Sequence, residues 1–581
     1  MEYKYNDFMK VSISTIDYHL GDIKKTVETI KDDINTFNNS NLILFNELTL
    51  SSCSLGSLIE HKDYLDDILI GLKDIVNASK NSESIIVLGL PLYYLNKVYN
   101  VMLVIYGGHI KGGRCKENIS FTTKILDEEV NIDSDKLYIT DEYSFEIMYR
   151  EELYTNYQFK NSDLVLVVDS LPTVIDDNIK CLIKQTAIRL HKGIVYCGAS
   201  NGESTSDGAY INTLMVTDHF KNHVTTKERY LSASINLASI KFNNPFVGKN
   251  VDFVKIEQHF IKPIEVKVNK YPFRVRKPID VINLQVSGIS KRLKAINVKD
   301  VVLGFSGGLD STLALIVLKE LSKIMDVNIH CLIMPCFATS NKTMNNALNL
   351  CDELNIDYKI IDISRTTESH LLDLGHDLKT YDVTFENAQA RERTQVLFDY
   401  ANSVNGIVVG TGDLSEIALG FATFNGDHIS NYNVNGGIPK TLIKDIIKSY
   451  SEEYNYQSLK DILLTPISPE LIPGENKEIV QSTETIVGPY ELIDFIIYYY
   501  LIRGNSIKDI YYLAKSHFDI KDLKKYYKGF FVRFFRNQFK RNCSSDGLKI
   551  FDFGFSSRGN FKLPSDLEIN DYLKFIDELE E

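Results

Sequence analysis

The stretch VVLGFSGGLDSTLALIVLKEL, Val301–Leu321, decides the fold of the second half of this chain. An apolar run reaches Phe305, breaks at Ser306-Gly307-Gly308, and resumes with helical spacing. A short unbroken apolar run suits a strand buried on both faces, the kind that parallel sheets contain. The glycines leave backbone N–H groups uncovered at the start of the following helix, where Ser306 and Ser311 add hydroxyl donors. Such a junction suits a phosphate or pyrophosphate. Taken alone, Ser-Gly-Gly reads equally well as an ordinary strand-to-helix turn. The Walker lysine and spacing are absent. Asp310 is out of place beside an anion unless it holds a divalent cation between oxygens.

Outward from this stretch the pattern repeats. Strands are predicted at 300–305, 328–334, 357–362 and 406–410, and helices at 311–325, 341–353 and 385–403. This alternation implies a doubly wound parallel sheet. Beyond its strand ends fall two more polar clusters. The strand-to-turn segment VVGTGDLSE (408–416) ends on Glu416, and TFNGDHISNYNVNGGIPK (423–440) offers Asp427 and Lys440. A third, TFENAQARERTQ (384–395), places Asn387, Arg391 and Arg393 at a helix opening. Singly these residues read as caps or surface ion pairs; together they suit a large phosphorylated ligand.

The first 237 residues also alternate. Strands are predicted at 84–90, 98–106, 163–169 and 193–199, and helices at 15–38 and 58–79, giving an α/β layer arrangement. Residues 241–281 read as a connection with some strand, between a domain over 1–240 and one over 282–581. The 581 residues carry a net charge of −13 and no long basic tract, which argues against a nucleic-acid partner. No apolar run is long enough for a membrane span, and the N-terminus lacks signal-peptide features, so a cytoplasmic protein is expected. The eight cysteines form no C-x-x-C pair and read as mostly buried small hydrophobes. The basic-aromatic run 530–541 reads as core, as a nucleic-acid patch too short to outweigh the acidic whole, or as a wall over a ligand.

From about 282 to 566, SGGLDSTLAL, MPCFATS, ENAQARERTQ, GTGDLSEIALGF, NGDH, YNVNGGIPKTL, SPEL, TETIVGPYELIDF and QFKRNC…SSRGNFKLPSD follow one another in order. This series resembles the synthetase half of glutamine-dependent NAD synthetases. The resemblance implies an adenine-nucleotide α-hydrolase-like (N-type ATP pyrophosphatase) domain behind a nitrilase-like α/β sandwich. It implies ATP- and Mg²⁺-dependent amidation of deamido-NAD through an adenylate. In that reading Ser306, Gly307, Gly308, Leu309, Asp310, Ser311 and Thr411 meet ATP, and Asp310 and Glu416 hold Mg²⁺. Asn387, Arg391, Glu416, Asp427, Lys440 and Lys540 meet deamido-NAD. A homo-oligomer, at least a dimer through the synthetase domains, is also implied.

The family's first half is a glutaminase with Glu, Lys and Cys, delivering ammonia to the synthetase. Here ILFNELTLSS places the Glu at Glu47, and GGRCKE offers Lys116. The Cys strand, aligned as LVLVVDSLP, carries Val167 at the nucleophile position. The sandwich also reads as shortened. Cys181 and Cys115 are poor substitutes. A degenerate glutaminase domain is expected, with free ammonia or a separate supplier as nitrogen source. The alternatives are a glutamine-hydrolysing synthase with a relocated nucleophile, a non-catalytic dinucleotide-binding scaffold, and a ligase of the same chemistry acting on another carboxylate.

Overall fold

The computed structural model describes residues 3–170, 178–204, 210, 212–220, 223–242, 252–465, 471, 483–551, 553–555, 561 and 563–580. Residues 468–470 of the SPEL motif and 556–560 of the SSRGN stretch lie outside them. The chain divides into two compact units, one of Met1–Lys267 with Arg503–Asp509, the other of Val268–Ile502 with Ile510–Glu581.

The first unit contains an eight-stranded and a seven-stranded mixed sheet. Alternate side chains of Leu42–Phe45 show how they stack. Leu42 and Leu44 join a core with Leu164, Leu166 and Val168 of the other sheet, whereas Ile43 and Phe45 join Ile30, Ile34, Leu72 and Ile75 from helices. On the outer face of the second sheet, Val165 and Val167 pack against Ile179 and Ile183. The result is helix, sheet, sheet, helix, the sandwich expected from the resemblance. Each strand is read twice, once per face, by its period of two.

Two expectations for this unit need correction. The helix expected over 15–38 spans Ile23–Thr36, capped by the Asp22 side chain, and is preceded by an unforeseen strand, Phe8–Ser14. Gly21, at φ +85°, turns the chain between them. Five strands between His109 and Tyr149 were also not resolved individually from the sequence; several are short and partly exposed, so alternation is weak.

The second unit carries a five-stranded parallel sheet. Its spatial order is Tyr358–Ile360, Asn328–Ile333, Asp300–Gly304, Ile407–Gly410, Tyr432–Asn433. Strand order therefore reverses between Asp300–Gly304 and Ile407–Gly410, the position where doubly wound sheets open a crevice at their carboxyl ends. Helix Leu309–Ser322 is buried nearly all round, at Leu309, from Ser311 through Leu318 and at Leu321, which explains its apolar run. Helices Asp280–Ile296, Asn341–Leu354 and Lys440–Tyr454 end on Asn297, Asn355 and Asn455 in left-handed conformation, the usual asparagine substitute for a glycine stop.

Candidate functional site

At the switch point the chain after Asp300–Gly304 turns through Ser306-Gly307-Gly308 into helix Leu309–Ser322. Gly307 has φ +79°, and a Cβ there would lie 2.6 Å from the Thr343 carbonyl oxygen. Glycine is required on both counts. The Ser306 and Ser311 hydroxyls are 3.1 Å apart, and the Gly308 N–H donates to Ser306 Oγ at 3.3 Å. Helix start, hydroxyls and turn thus face one point.

The neighbouring strand ends in Thr411-Gly412-Asp413. Asn435 ties the two loops, its Nδ2 donating to the carbonyls of Asp310 (2.8 Å) and Thr411 (2.9 Å). Asp413 caps helix Leu414–Leu419 by accepting the Glu416 N–H at 2.9 Å. Lys440 opens its helix wholly buried and reaches three carboxylates, 2.7 Å from Asp310, 2.5 Å from Asp413 and 2.9 Å from Glu416. Burial works against its charge, yet Asp310, Asp413 and Glu416 hold its pKa well above the ordinary lysine value. Burial lifts the Glu416 carboxyl to about 7, against the opposing pull of Lys440. Carboxylate oxygens of Asp310, Asp413 and Glu416 all lie within 4.8 Å of one another. Hard oxygen donors at that spacing fit Mg²⁺.

Behind this cluster Asp494 is buried. It accepts from the Thr441 N–H at 3.0 Å, from the Thr441 hydroxyl at 2.6 Å, and from the Ser415 hydroxyl. It thereby fixes helices Leu414–Leu419 and Lys440–Tyr454 where Glu416 and Lys440 begin.

A cavity of this unit is lined by Thr411, Glu416, Asp427, His428, Asn433 and Lys540, among others. Lys540 Nζ donates to the carbonyls of Gly420 (2.8 Å) and Ala422 (2.6 Å). Asp427 accepts the Thr423 N–H at 2.8 Å, and Thr423 donates its hydroxyl to Asn387 at 2.7 Å. Burial raises the Asp427 pKa and lowers that of Lys540. Asn387 therefore supports the Asp427 loop, and Arg391 binds the Phe424 carbonyl at 3.3 Å, neither among the cavity-lining side chains. In the run 530–541 Phe530, Phe531, Phe534 and Phe535 are core, while Lys540 and Arg541 line the cavity.

In the first unit Glu47 and Lys116 meet at 2.5 Å, with Asn100 donating to the same Glu47 oxygen at 2.6 Å and Glu151 3.0 Å from Lys116. Burial lifts the Glu47 carboxyl to about 7, opposed by Lys116, and the Ser170 hydroxyl favours its charged form. Val167 is not brought to this pair. It lies in the core against helix Asn178–Leu190, with Met148 and Ile183, on the face opposite Val168. A one-residue shift along a strand exchanges faces, so aligning on Asp169 misassigns the position. Asp169 itself pairs with Arg150 at 3.0 Å and accepts from the Tyr196 hydroxyl at 2.7 Å. What flanks Lys116 is Tyr149 and Glu151, lining an open cleft.

The thiols of this unit have other surroundings. Cys115 lies 3.0 Å from Glu117, and burial pushes its pKa up to about 12. Cys53 lies 3.6 Å from the Ser170 carbonyl, and burial with the neighbouring Glu203 raises its pKa. Cys197 is buried in the core and raised by that burial, and Cys181 is exposed.

Sequence reasoning did not single out Asp413, Asn435 or Asp494. All three lie inside the quoted motifs, but only the folded chain shows which polar side chains of a motif turn inward.

Residues 281–543 match the NAD synthase family. The glutamine-dependent NAD(+) synthetase of Mycobacterium leprae is 29% identical over 92% of this chain and 92% of its own length. That of Mycobacterium tuberculosis strain H37Rv is 29% identical over 98% of each. The NH(3)-dependent NAD(+) synthetase of Campylobacter jejuni strain 81116 is 33% identical over 29% of this chain and 66% of its own length. The parallel sheet whose switch point gathers Asp310, Asp413, Glu416 and Lys440 thus lies in a segment that matches the NAD synthase family, and the chain is homologous along its length to the glutamine-dependent NAD(+) synthetases, which are carbon–nitrogen ligases.

Proposed function

We propose that this NAD synthase amidates deamido-NAD with free ammonia, driven by ATP. The observation that carries the reading is a contrast within one chain. The carboxylate–lysine cluster of the second unit is complete, whereas the Glu47–Lys116 pair of the first faces Tyr149 and Glu151, and the thiols of Cys53 and Cys115 lie against Ser170 with Glu203 and against Glu117, where burial and those carboxylates disfavour the thiolate. Thiolate, not thiol, attacks an amide.

The Ser306–Ser311 turn would receive the phosphates of ATP through its N–H groups and hydroxyls. Asp310 and Glu416 would hold Mg²⁺, which supplies charge neutralisation for the departing pyrophosphate. Thr411, Asp427 and Lys540 would position the acid, whose nicotinate carboxylate attacks the α-phosphorus and expels pyrophosphate. Ammonia then attacks the acyl carbon, AMP leaves, and one proton is lost. The amide of NAD results. No side chain need act as nucleophile; positioning and electrostatics supply the rate.

The second reading is glutamine hydrolysis by another group, favoured by the glutamine dependence of the mycobacterial relatives. Purified protein given ATP, Mg²⁺ and deamido-NAD with either ammonium or glutamine decides. Product from ammonium alone is expected. Comparable rates from glutamine would sink the ammonia-only reading, and no product from either would sink the synthase mechanism.

A further inference from the structure

The carboxylates suited to a divalent metal already hold a cation of the protein's own. Lys440 Nζ is 2.7 Å from both oxygens of Asp310, 2.9 Å from Glu416 Oε1 and 2.5 Å from Asp413 Oδ2. It sits 5.1 Å from the centre of the Tyr490 ring and is fully buried. The ammonium thus occupies the middle of a cluster whose oxygens lie within 4.8 Å of one another. Magnesium binds oxygen at about 2.0–2.1 Å. An ion shared by Asp310 and Glu416 would therefore claim the point that Nζ now fills. Two cations cannot share that point, and their charges repel. One must leave.

The surrounding bonds say which part can move. The Lys440 N–H is fixed to Ser415 Oγ at 2.9 Å, and the next residue, Thr441, is fixed by N–H and hydroxyl to Asp494. The backbone is anchored twice, so release falls to the four-carbon side chain. Asp413, fully buried and committed to capping Glu416, stays behind to keep that helix start in place.

We propose that Lys440 is a resident counter-cation that closes the Asp310–Glu416 site to free divalent metal. The metal then enters only together with a polyphosphate nucleotide, whose oxygens give the displaced ammonium new anionic partners. The inference rests on reading this cluster as the metal–nucleotide site of the synthase.

The test uses Mn²⁺ as the probe, with bound and free ion separated by electron paramagnetic resonance on the full-length protein. Wild type should bind Mn²⁺ at this site only when a non-hydrolysable ATP analogue is present. K440Q should bind Mn²⁺ without nucleotide at least about tenfold more tightly than wild type, because the competing charge is gone. Since K440Q leaves three carboxylates without their cation and could misfold, K440Q/D413N is measured beside it. That double variant has two carboxylates and no ammonium in place of three and one, so net charge is unchanged; it should bind the free ion as well. Adding D310N should abolish the gained binding and so locate it. Nucleotide-free wild type binding Mn²⁺ as tightly as the folded Lys440 variants, with the binding lost in D310N, would overturn the proposal. So would folded Lys440 variants that gain nothing. Ammonium-driven amidation by wild type is assayed in parallel, so that loss of the synthase reading is seen separately from the Mn²⁺ result.

Discussion

Replacing Gly307 or Gly308 with alanine separates what the turn needs for folding from what it needs for its ligand. At Gly307 the φ of +79° costs a residue with a Cβ about 1–2 kcal/mol. The new methyl would also lie 2.6 Å from the Thr343 carbonyl oxygen and 3.2 Å from Ala347 N, both backbone atoms of helix Asn341–Leu354. That helix cannot yield as a side-chain tip can. Strain and overpacking together should lower stability by about 2–4 kcal/mol. At Gly308 the backbone is extended, with φ −84° and ψ 168°, and an added Cβ meets only Ser306 Oγ at 3.4 Å. G308A should therefore cost under about 1 kcal/mol, the scale of losing a favourable helix-capping residue. Its methyl would stand beside Ser306 Oγ, one of the hydroxyls proposed to receive phosphate, so the KM for ATP should rise at least about tenfold, the equivalent of one lost charge-assisted contact. Urea unfolding followed by circular dichroism gives the stabilities, and initial rates with ammonium give the KM. Wild-type stability in G307A would refute the packing argument. An unchanged KM in a folded G308A would refute the assignment of the turn to phosphate.

Three further outcomes are expected. Asn435→Ala leaves the Asp310 and Thr411 carbonyls without their shared donor, so stability should drop by about 1–3 kcal/mol and kcat/KM with ammonium should fall too, as positioning is lost; wild-type kinetics would show that the two loops hold themselves. Burial raises the Asp494 carboxyl from 3.8 to about 6, so the folded state keeps a proton the unfolded state releases between those values. That contribution is complete below about pH 4 and is lost as pH rises through about 6, at most about 3 kcal/mol, and D494N should flatten this part of the stability–pH curve measured by urea unfolding. Brief alkylation followed by peptide mass spectrometry should mark exposed Cys181 and Cys543 first, leaving buried Cys115, Cys197, Cys331, Cys336 and Cys351 unmodified, while ammonium-driven activity persists; rapid labelling of Cys115 would contradict its packing.

The period of the apolar residues was enough to make the second unit a doubly wound parallel sheet, though not to give its strand order or the short strand Tyr432–Asn433. Val301–Phe305 and Ile407–Gly410 could be nothing but buried strands, and a parallel sheet puts the loops after them on one edge, so Ser306, Asp310, Thr411 and Glu416 were legible as neighbours before any coordinate. Local chemistry sufficed because each of these residues lies in the turn after a strand or in the first turn of the helix that follows it. What lies one step further was not legible. The sequence offered Lys440 as a ligand contact, but only the packing of helix Lys440–Tyr454 beside the two loops turns its ammonium into the centre of three carboxylates. Asp413, Asn435 and Asp494 likewise acquire their meaning from partners as many as 125 residues away, such as Asp310 for Asn435. In the first unit Glu47 and Lys116 were found through the resemblance of the segments that carry them to the glutaminase half of the family, whereas Val167 was placed by counting back from Asp169. A strand's faces alternate residue by residue, so counting along it fixes distance but not direction, and only the two stacked sheets decided that Val167 turns toward the helix and away from Glu47.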